Sequence, residues 1–320
     1  YMFWHRSASH KGRIRLMGLP QKALVFLAVS FVVMLLSSQR SFLRGSLASL
    51  RPSVRQGVHG SLGSRRWLSR AVKDTRVSVH PYFKVKEGKM EEMKAIFREF
   101  YSAVDNESNC LYYAFSVNEK DNIVYNRECY DSAEGLIKHF ENTADIGAKI
   151  GPLLEETKLE IHAPASEIEK LRSLAKDSNA ELWVLDDDGF TNENMKPGKD
   201  TGVSIHPYFK IKPENMEAFK KGFSLYYDRV KANEPNCHHY CFSIKEDEPI
   251  VYNREGYTDA DALLNHIANT APANDEVGHL IDSVHLEIHG PANELLKMKE
   301  FADKEGAQLF VLDDDSRIYK

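Results

Sequence analysis

The chain has 320 residues, 42% of them hydrophobic and only four of them cysteine, with 42 basic against 47 acidic side chains. That length holds about two domains, and the composition excludes a disulfide scaffold, a collagen-like repeat and a wholly disordered chain. The charges are segregated: Asp74 is the first acid, 13 basic residues precede it, and residues 74–320 carry 29 basic against 47 acidic residues, a net −18 that repels phosphate backbones and excludes nucleic acid as a partner.

Residues 1–73 read as a bipartite targeting leader. The apolar run 23–36 follows Arg13, Arg15 and Lys22 and is 14 residues long. A membrane span needs about 17–25 apolar residues and a signal-peptide core about 7–15. The run is therefore expected to be a cleavable signal, with the mature protein outside the membrane unless 23–36 is retained as an anchor. Residues 41–73 are rich in Arg and Ser and free of acids, as transit peptides are. A signal followed by a transit segment, with Phe42 opening the second part, resembles the leader of plastids enclosed by extra membranes. The expected destination is a plastid, with the secretory pathway or a membrane anchor as the alternative.

The body is one unit written twice. Val77–Lys86 recurs as Val203–Lys212 with eight of ten positions identical. Ile123–Glu128 recurs unchanged as Ile250–Glu255, Leu159–His162 as Leu286–His289, and Val184–Asp187 as Val311–Asp314. The units are residues 74–188 and 203–320, and the Asn-, Lys-, Pro- and Gly-containing stretch 189–202 is the expected linker.

In the first unit, Val77, Val79, Phe83 and Val85 occupy one face of a strand, and Ser78, His80, Tyr82 and Lys84 the other. Pro81 is the point where this strand is expected to bulge. Met90, Met93, Phe97, Phe100 and Val104 then step at helical spacing, as do Met216, Phe219, Phe223, Tyr226 and Val230 in the second unit. Two β-rich runs, 110–118 and 122–130, flank a polar turn and predict a hairpin. A helix is expected over 132–142 with Ser132 as its N-cap, then a further apolar segment, and a strand over 158–162. The order is β-α-β-β-α-β, a ferredoxin-like unit of the α+β class, followed by an extra helix near 165–178 and a strand near 181–186. Helices on one side leave the other sheet face uncovered, so the two units are expected to close on each other as an intramolecular pseudo-dimer.

The segment Val85-Lys-Glu-Gly-Lys89, the aromatic helix, Asn109-Cys-Leu-Tyr-Tyr113, Glu128-x-Tyr130 and His139 together resemble the antibiotic-biosynthesis-monooxygenase superfamily of dimeric α/β barrels. Asn236-Cys237, Glu255-x-Tyr257 and His266 repeat the pattern. The resemblance covers about 80 residues of each unit and implies a cofactor-independent monooxygenase acting on a small phenol, quinol or related aromatic. It makes His139 and His266 candidate bases, since an imidazole titrating near 6.5 suits removal of a phenolic proton. Arg127, Arg254, Asn126 and Asn253 are candidates to steady the developing oxyanion, although strand alternation turns each Arg away from its neighbouring Asn and Glu. Glu128 and Glu255 are candidates to orient a substrate hydroxyl.

First and fourth strands are neighbours in this topology. His80 and His162 are thus expected to approach each other, with Tyr82 and Glu160 beside them, and His206, Tyr208, Glu287 and His289 repeat the set. These residues read as the lining of a ligand or metal chamber or, the favoured reading, as a hydrogen-bonded lock between the halves. No metal site is expected. In Cys237-His-His-Tyr-Cys241, positions i and i+4 of a strand lie about 13 Å apart, and Asp186–Asp188 and Asp313–Asp315 lack the spacing of a calcium loop. The haem-degrading branch of the superfamily uses an aromatic where His139 and His266 stand here, and its histidine falls near Lys149 and Glu276. No cofactor is therefore expected and haem is disfavoured. The competing reading is a non-catalytic module of the plastid that binds a small apolar ligand or serves a structural role.

Overall fold

A computed structural model describes residues 71–192 and 195–320; the apolar run 23–36 and the Arg/Ser-rich segment up to residue 70 lie outside the described residues. Among the described residues no helix is long and apolar enough to cross a membrane. The first half runs β1 (Ala71–Lys73), β2 (Val77–Val85), α1 (Met90–Val104), β3 (Cys110–Asn118), β4 (Ile123–Tyr130), α2 (Ala133–Ile150), β5 (Leu154–Ala163), α3 (Ala165–Ser178) and β6 (Glu181–Leu185). After β7 (Phe190–Asn192) and β8 (Gly198–Lys199), the second half runs β9 (Val203–Ile211), α4 (Met216–Lys221), α5 (Phe223–Asn233), β10 (Cys237–Lys245), β11 (Ile250–Tyr257), α6 (Ala260–Val277), β12 (Ile281–Gly290), α7 (Ala292–Glu305), β13 (Gln308–Leu312) and β14 (Arg317–Ile318).

The strands follow the order β10-β11-β9-β12-β13-β3-β4-β2-β5-β6, and β6 pairs back onto β10, so ten strands form a closed barrel. Closure is achieved by the appended strands. β6 of the first half pairs antiparallel with β10 of the second, and β13 of the second with β3 of the first. Exchange of these strands leaves neither half with an open edge there, which removes the pairing hazard of a free strand. The expected pseudo-dimer is present, and the appendage is what seals it.

Each half packs its helices on the outer sheet face. Met90, Met93, Phe97, Phe100 and Val104 are all buried, as the helical spacing predicts. Ser132 accepts a hydrogen bond from Gly135 N and caps α2 as expected. The helix continues to Ile150, however, and absorbs the segment expected to be separate. The following strand begins at Leu154 rather than 158. In the second half the first helix breaks at Gly222, where a Cβ would lie 2.6 Å from Val277 Cγ1. β2 keeps its alternation through Pro81, which sits opposite Leu159; the irregularity falls instead between Lys84 and Val85.

Residues 189–202, expected to be a linker, contribute two short strands. β7 pairs with β1 and β10, and β8 pairs with β14, which itself pairs with β3. The triple-Asp segments turn the chain into these strands: Gly189 N donates to Asp186 O at 3.2 Å, and Ser316 N to Asp313 O at 3.2 Å.

The two copies differ where β4 and β11 face their hairpin partners. Tyr112 stands opposite Cys129 in the first half and His239 opposite Gly256 in the second. A Cβ on Gly256 would lie 2.6 Å from His239 Cε1 and 3.0 Å from its Nε2. Gly256→Ala is expected to cost about 1–3 kcal/mol through overpacking. The denaturant midpoint checks this, and an unchanged midpoint would contradict it.

Candidate functional site

Alternation along β4 points Asn126, Glu128 and Tyr130 toward the helices and Arg127 toward the opposite side. α2 lays His139 over Glu128, and the turn after α1 brings Glu107 to the other side of the same ring. His139 Nε2 is 3.1 Å from Glu128 Oε2, and His139 Nδ1 is 3.1 Å from Glu107 Oε2. Tyr130 Oη donates to Glu128 Oε2 at 2.6 Å, and Asn126 Nδ2 donates to Glu128 Oε1 at 2.9 Å. Asn142 Nδ2 holds Glu107 Oε1 at 2.7 Å.

The second half repeats this arrangement. His266 Nε2 is 3.1 Å from Glu255 Oε2 and its Nδ1 is 2.9 Å from Glu234 Oε2. Tyr257 Oη donates to Glu255, Asn253 Nδ2 donates to Glu255 Oε1 at 3.1 Å, and Asn269 Nδ2 donates to Glu234 Oε1 at 2.6 Å. His139 is 4% exposed and His266 6%. Rings of Tyr113 and Tyr130 lie 5.6 and 5.1 Å from His139, and those of Tyr240 and Tyr257 5.4 and 5.2 Å from His266.

Burial alone would lower the pKa of each histidine, but the two flanking carboxylates overcome it and hold both rings above their usual 6.5. Burial pushes Glu128 up as well, and Glu255 up to about 7, against the opposing pull of the histidine. A raised histidine and a raised glutamate in one pair pull in opposite senses if each is read alone. They are reconciled by counting charge: two carboxylates and one imidazole carry −1 with one proton and are neutral with two. A buried cluster favours the second proton. Each site thus sets one imidazole between two carboxylates, with its outer carboxylate toward the surface.

The carbonyl oxygens of Asn126 and Asn253 are buried without a hydrogen-bond partner. An unpartnered buried acceptor costs about 1–3 kcal/mol. Each of these acceptors lies beside a carboxylate of raised pKa.

The arginines stand elsewhere. Arg127 is ion-paired to Asp200, and Arg254 to Asp74 with its Nη1 2.8 Å from Ser78 Oγ. Asp74 also takes Arg76 Nε at 2.9 Å. Burial would raise the Asp74 pKa, yet the two guanidiniums hold it well below the usual carboxylate range. These reciprocal pairs join the first half to the second. Arg127 and Arg254 are therefore not oxyanion holders at the histidine sites, because an aspartate on the opposite side of the sheet neutralises each.

The other expected residues meet inside the barrel. His80 and His162 rings lie 4.4 Å apart, His206 and His289 rings 4.2 Å, and His80 and His206 6.3 Å. Tyr82 Oη and Tyr208 Oη are 2.7 Å apart, and each donates across the halves at 2.8 Å, Tyr82 to Glu287 Oε2 and Tyr208 to Glu160 Oε2. These residues form one network between the halves, separate from the sites at His139 and His266. Cys237, Cys241, Cys110 and Cys129 are free thiols, and Cys237 Sγ donates to His239 O at 3.4 Å rather than converging with the histidines.

Glu107, Glu234, Asn142 and Asn269 were not among the expected site residues. Their signal was present: each pair is identical at the 127-residue offset of the repeat.

The sequence pattern of the family described as antibiotic biosynthesis monooxygenase matches residues 76–148. No protein of curated function matches the chain. Among solved structures, MupZ from Pseudomonas fluorescens is 30% identical over 34% of this chain and 88% of its own, with a TM-score of 0.33. A Lactobacillus acidophilus protein provisionally described as a monooxygenase is 13% identical over 67% of this chain and 92% of its own, with a TM-score of 0.49. An anthrone oxidase-like protein is 10% identical over 68% and 92%, with a TM-score of 0.41.

Proposed function

Residues 76–148 of this chain belong to the antibiotic biosynthesis monooxygenase family, and on that premise we propose that the chain is a cofactor-independent oxygenase of a small phenol, quinol or related aromatic, working at two equivalent sites. The observation that carries the reading is the twice-built chain of Glu128, His139 and Glu107, repeated as Glu255, His266 and Glu234.

In this mechanism the substrate hydroxyl rests against the free carbonyl of Asn126 or Asn253. Its proton passes to Glu128 or Glu255, while His139 or His266, protonated on both nitrogens, stays held between that glutamate and Glu107 or Glu234. The base is thus the inner glutamate rather than the histidine. The histidinium supplies the positive charge that steadies the substrate anion, the part first expected of the arginines. The electron-rich anion then reduces dioxygen directly. For a ring methylene activated by the hydroxyl, the carbon forms a bond to one oxygen and loses two C–H bonds. It becomes a carbonyl, and the second oxygen leaves as water carrying both hydrogens. The four electrons come from the substrate carbon, so no cofactor and no external reductant enter the balance. The leader's composition carries the further proposal that this chemistry is located in a plastid.

The near-complete burial of both histidines favours one rival reading, a non-catalytic small-ligand or structural module. Oxygen uptake by the purified protein with quinols, anthrones and catechols separates the two. The expected result is uptake of one O2 per substrate, with one labelled atom from 18O2 in the product. Uptake no faster than the uncatalysed reaction across the panel would leave the binding module as the reading.

A further inference from the structure

The barrel interior holds chemistry that the proposed histidine–glutamate sites do not use. Two groups of three, His80 with Glu160 and His162, and His206 with Glu287 and His289, bring ligand-type atoms within 4.8 Å of one another. In the second group Glu287 Oε2 lies 3.4 Å from His289 Nε2 and 3.9 Å from His206 Nδ1. A tetrahedral ion with bonds of about 2.0–2.2 Å sets its donors about 3.3–3.6 Å apart. Shifts of a few tenths of an ångström bring these two edges into that range, and the third edge, between the two imidazoles, is within 4.8 Å.

The far nitrogen of each ring already has a hydroxyl. Ser204 Oγ is 3.0 Å from His206 Nε2, and Ser116 Oγ is 2.8 Å from His289 Nδ1. A serine hydroxyl turns to accept as readily as to donate, so each can hold an N–H and leave the near nitrogen's lone pair facing Glu287. Such outer partners are what orient ligating imidazoles. His206 Nδ1 has no hydrogen-bond partner although the residue is only 2% exposed.

The first copy departs from this pattern at two points. Lys158 Nζ sits 2.5 Å from Glu160 Oε1, a fixed ammonium that opposes a second cation. Ser78, the counterpart of Ser204, is engaged by Arg254. At the position of Lys158 the second copy has His285, whose Nε2 is 3.0 Å from Glu287 Oε1 and whose side chain is 52% exposed, linking the carboxylate to solvent without a fixed charge.

We propose that His206, Glu287 and His289 bind a single divalent transition-metal ion, with Zn2+ the best match to two imidazoles and a carboxylate, and that the copy at His80, Glu160 and His162 does not. Three protein ligands leave a fourth position open. The outer partners Ser116 and Tyr82 come from the first half, so the bound ion would also tie the two halves together.

The test is titration of the chelator-dialysed full chain with Co2+, read by its visible ligand-field bands and by direct metal counting, with Zn2+ as competitor. One equivalent per chain is expected, displaced by Zn2+. His289→Gln is expected to weaken binding at least about 100-fold, and His162→Gln to leave it unchanged. Glu287→Gln, which keeps hydrogen-bonding capacity toward Tyr82 and His285, is expected to weaken it similarly and supplies the measurement should His289→Gln fail to fold. No binding, two equivalents, or one equivalent indifferent to His289→Gln and Glu287→Gln would overturn the proposal.

Discussion

Replacing Glu128 and Glu255 together by Gln is expected to lower the oxygenation rate by about 100- to 10,000-fold, the usual worth of a positioned general base, while the protein stays folded. Gln keeps an acceptor for Tyr130 and Tyr257, its amide NH2 can meet the Asn126 or Asn253 carbonyl once that amide flips, and it cannot take a proton. The effect is therefore expected in kcat and kcat/KM alike rather than in KM alone. The wild-type rate is expected to rise with pH through about 7, where Glu255 becomes free to accept. The variant is expected to lose that limb. The single variants should each leave about half of the activity, because the two sites stand in separate halves with their own helices. A double variant with unchanged kcat would remove the inner glutamate from the mechanism, whatever its effect on binding.

Acid is expected to unfold the protein steeply below pH 6.5. His80, His162, His206, His238, His239 and His289 are all held below the ordinary imidazole value, in every case first by burial. A group whose folded pKa is depressed loses protons to the fold. Below pH 6.5 these six rings take up protons in the unfolded chain before they do in the native one, so their stabilisation fades as pH falls. Glu128 and Glu255 act in the opposite sense, because a raised carboxylate binds its proton in the native state first. Six protons favouring unfolding less two favouring folding leave four. At about 1.4 kcal/mol per proton per pH unit, the slope reaches about 5 kcal/mol per pH unit where all six titrate. Denaturant midpoints from pH 8 to 5 measure it. Stability that is level from pH 7.5 to 5 would mean that these histidines are not held neutral in the fold.

How far the sequence revealed the site depended on whether the information was local. The alternation of Asn126, Arg127 and Glu128 already separated Arg127 from its neighbours, and the barrel places the separated side chains on opposite sides of the sheet. What pairs with each could not be read locally. Asp74 and Asp200 directly precede β2 and β9, and each reaches an arginine of the other half, Arg254 and Arg127. Glu107 and Asn142 meet His139 through the packing of α1 on α2, a contact between residues 32 and 35 positions from Glu107 that no strand or helix period encodes. The pairing of His80 with His162 was legible from topology, since first and fourth strands of a ferredoxin-like unit are neighbours. Strands β7, β8 and β14 were not, because two or three residues carry no period. The merging of 132–142 with the next apolar segment followed from helix α2 lying along α1, a tertiary preference that overrode the local breaks.

Each half keeps a proton poised between a buried inner carboxylate and a half-buried outer one, and the imidazole nitrogens of His139 and His266 report it directly. Nitrogen-15 shifts followed from pH 5.5 to 9 on the intact protein need no substrate. The prediction is that both rings stay doubly protonated above pH 6.5, while Glu255 titrates near 7. Rings that are already neutral at pH 6.5, with Glu128 and Glu255 ionised throughout, would contradict the histidinium–glutamate pair and the function built on it.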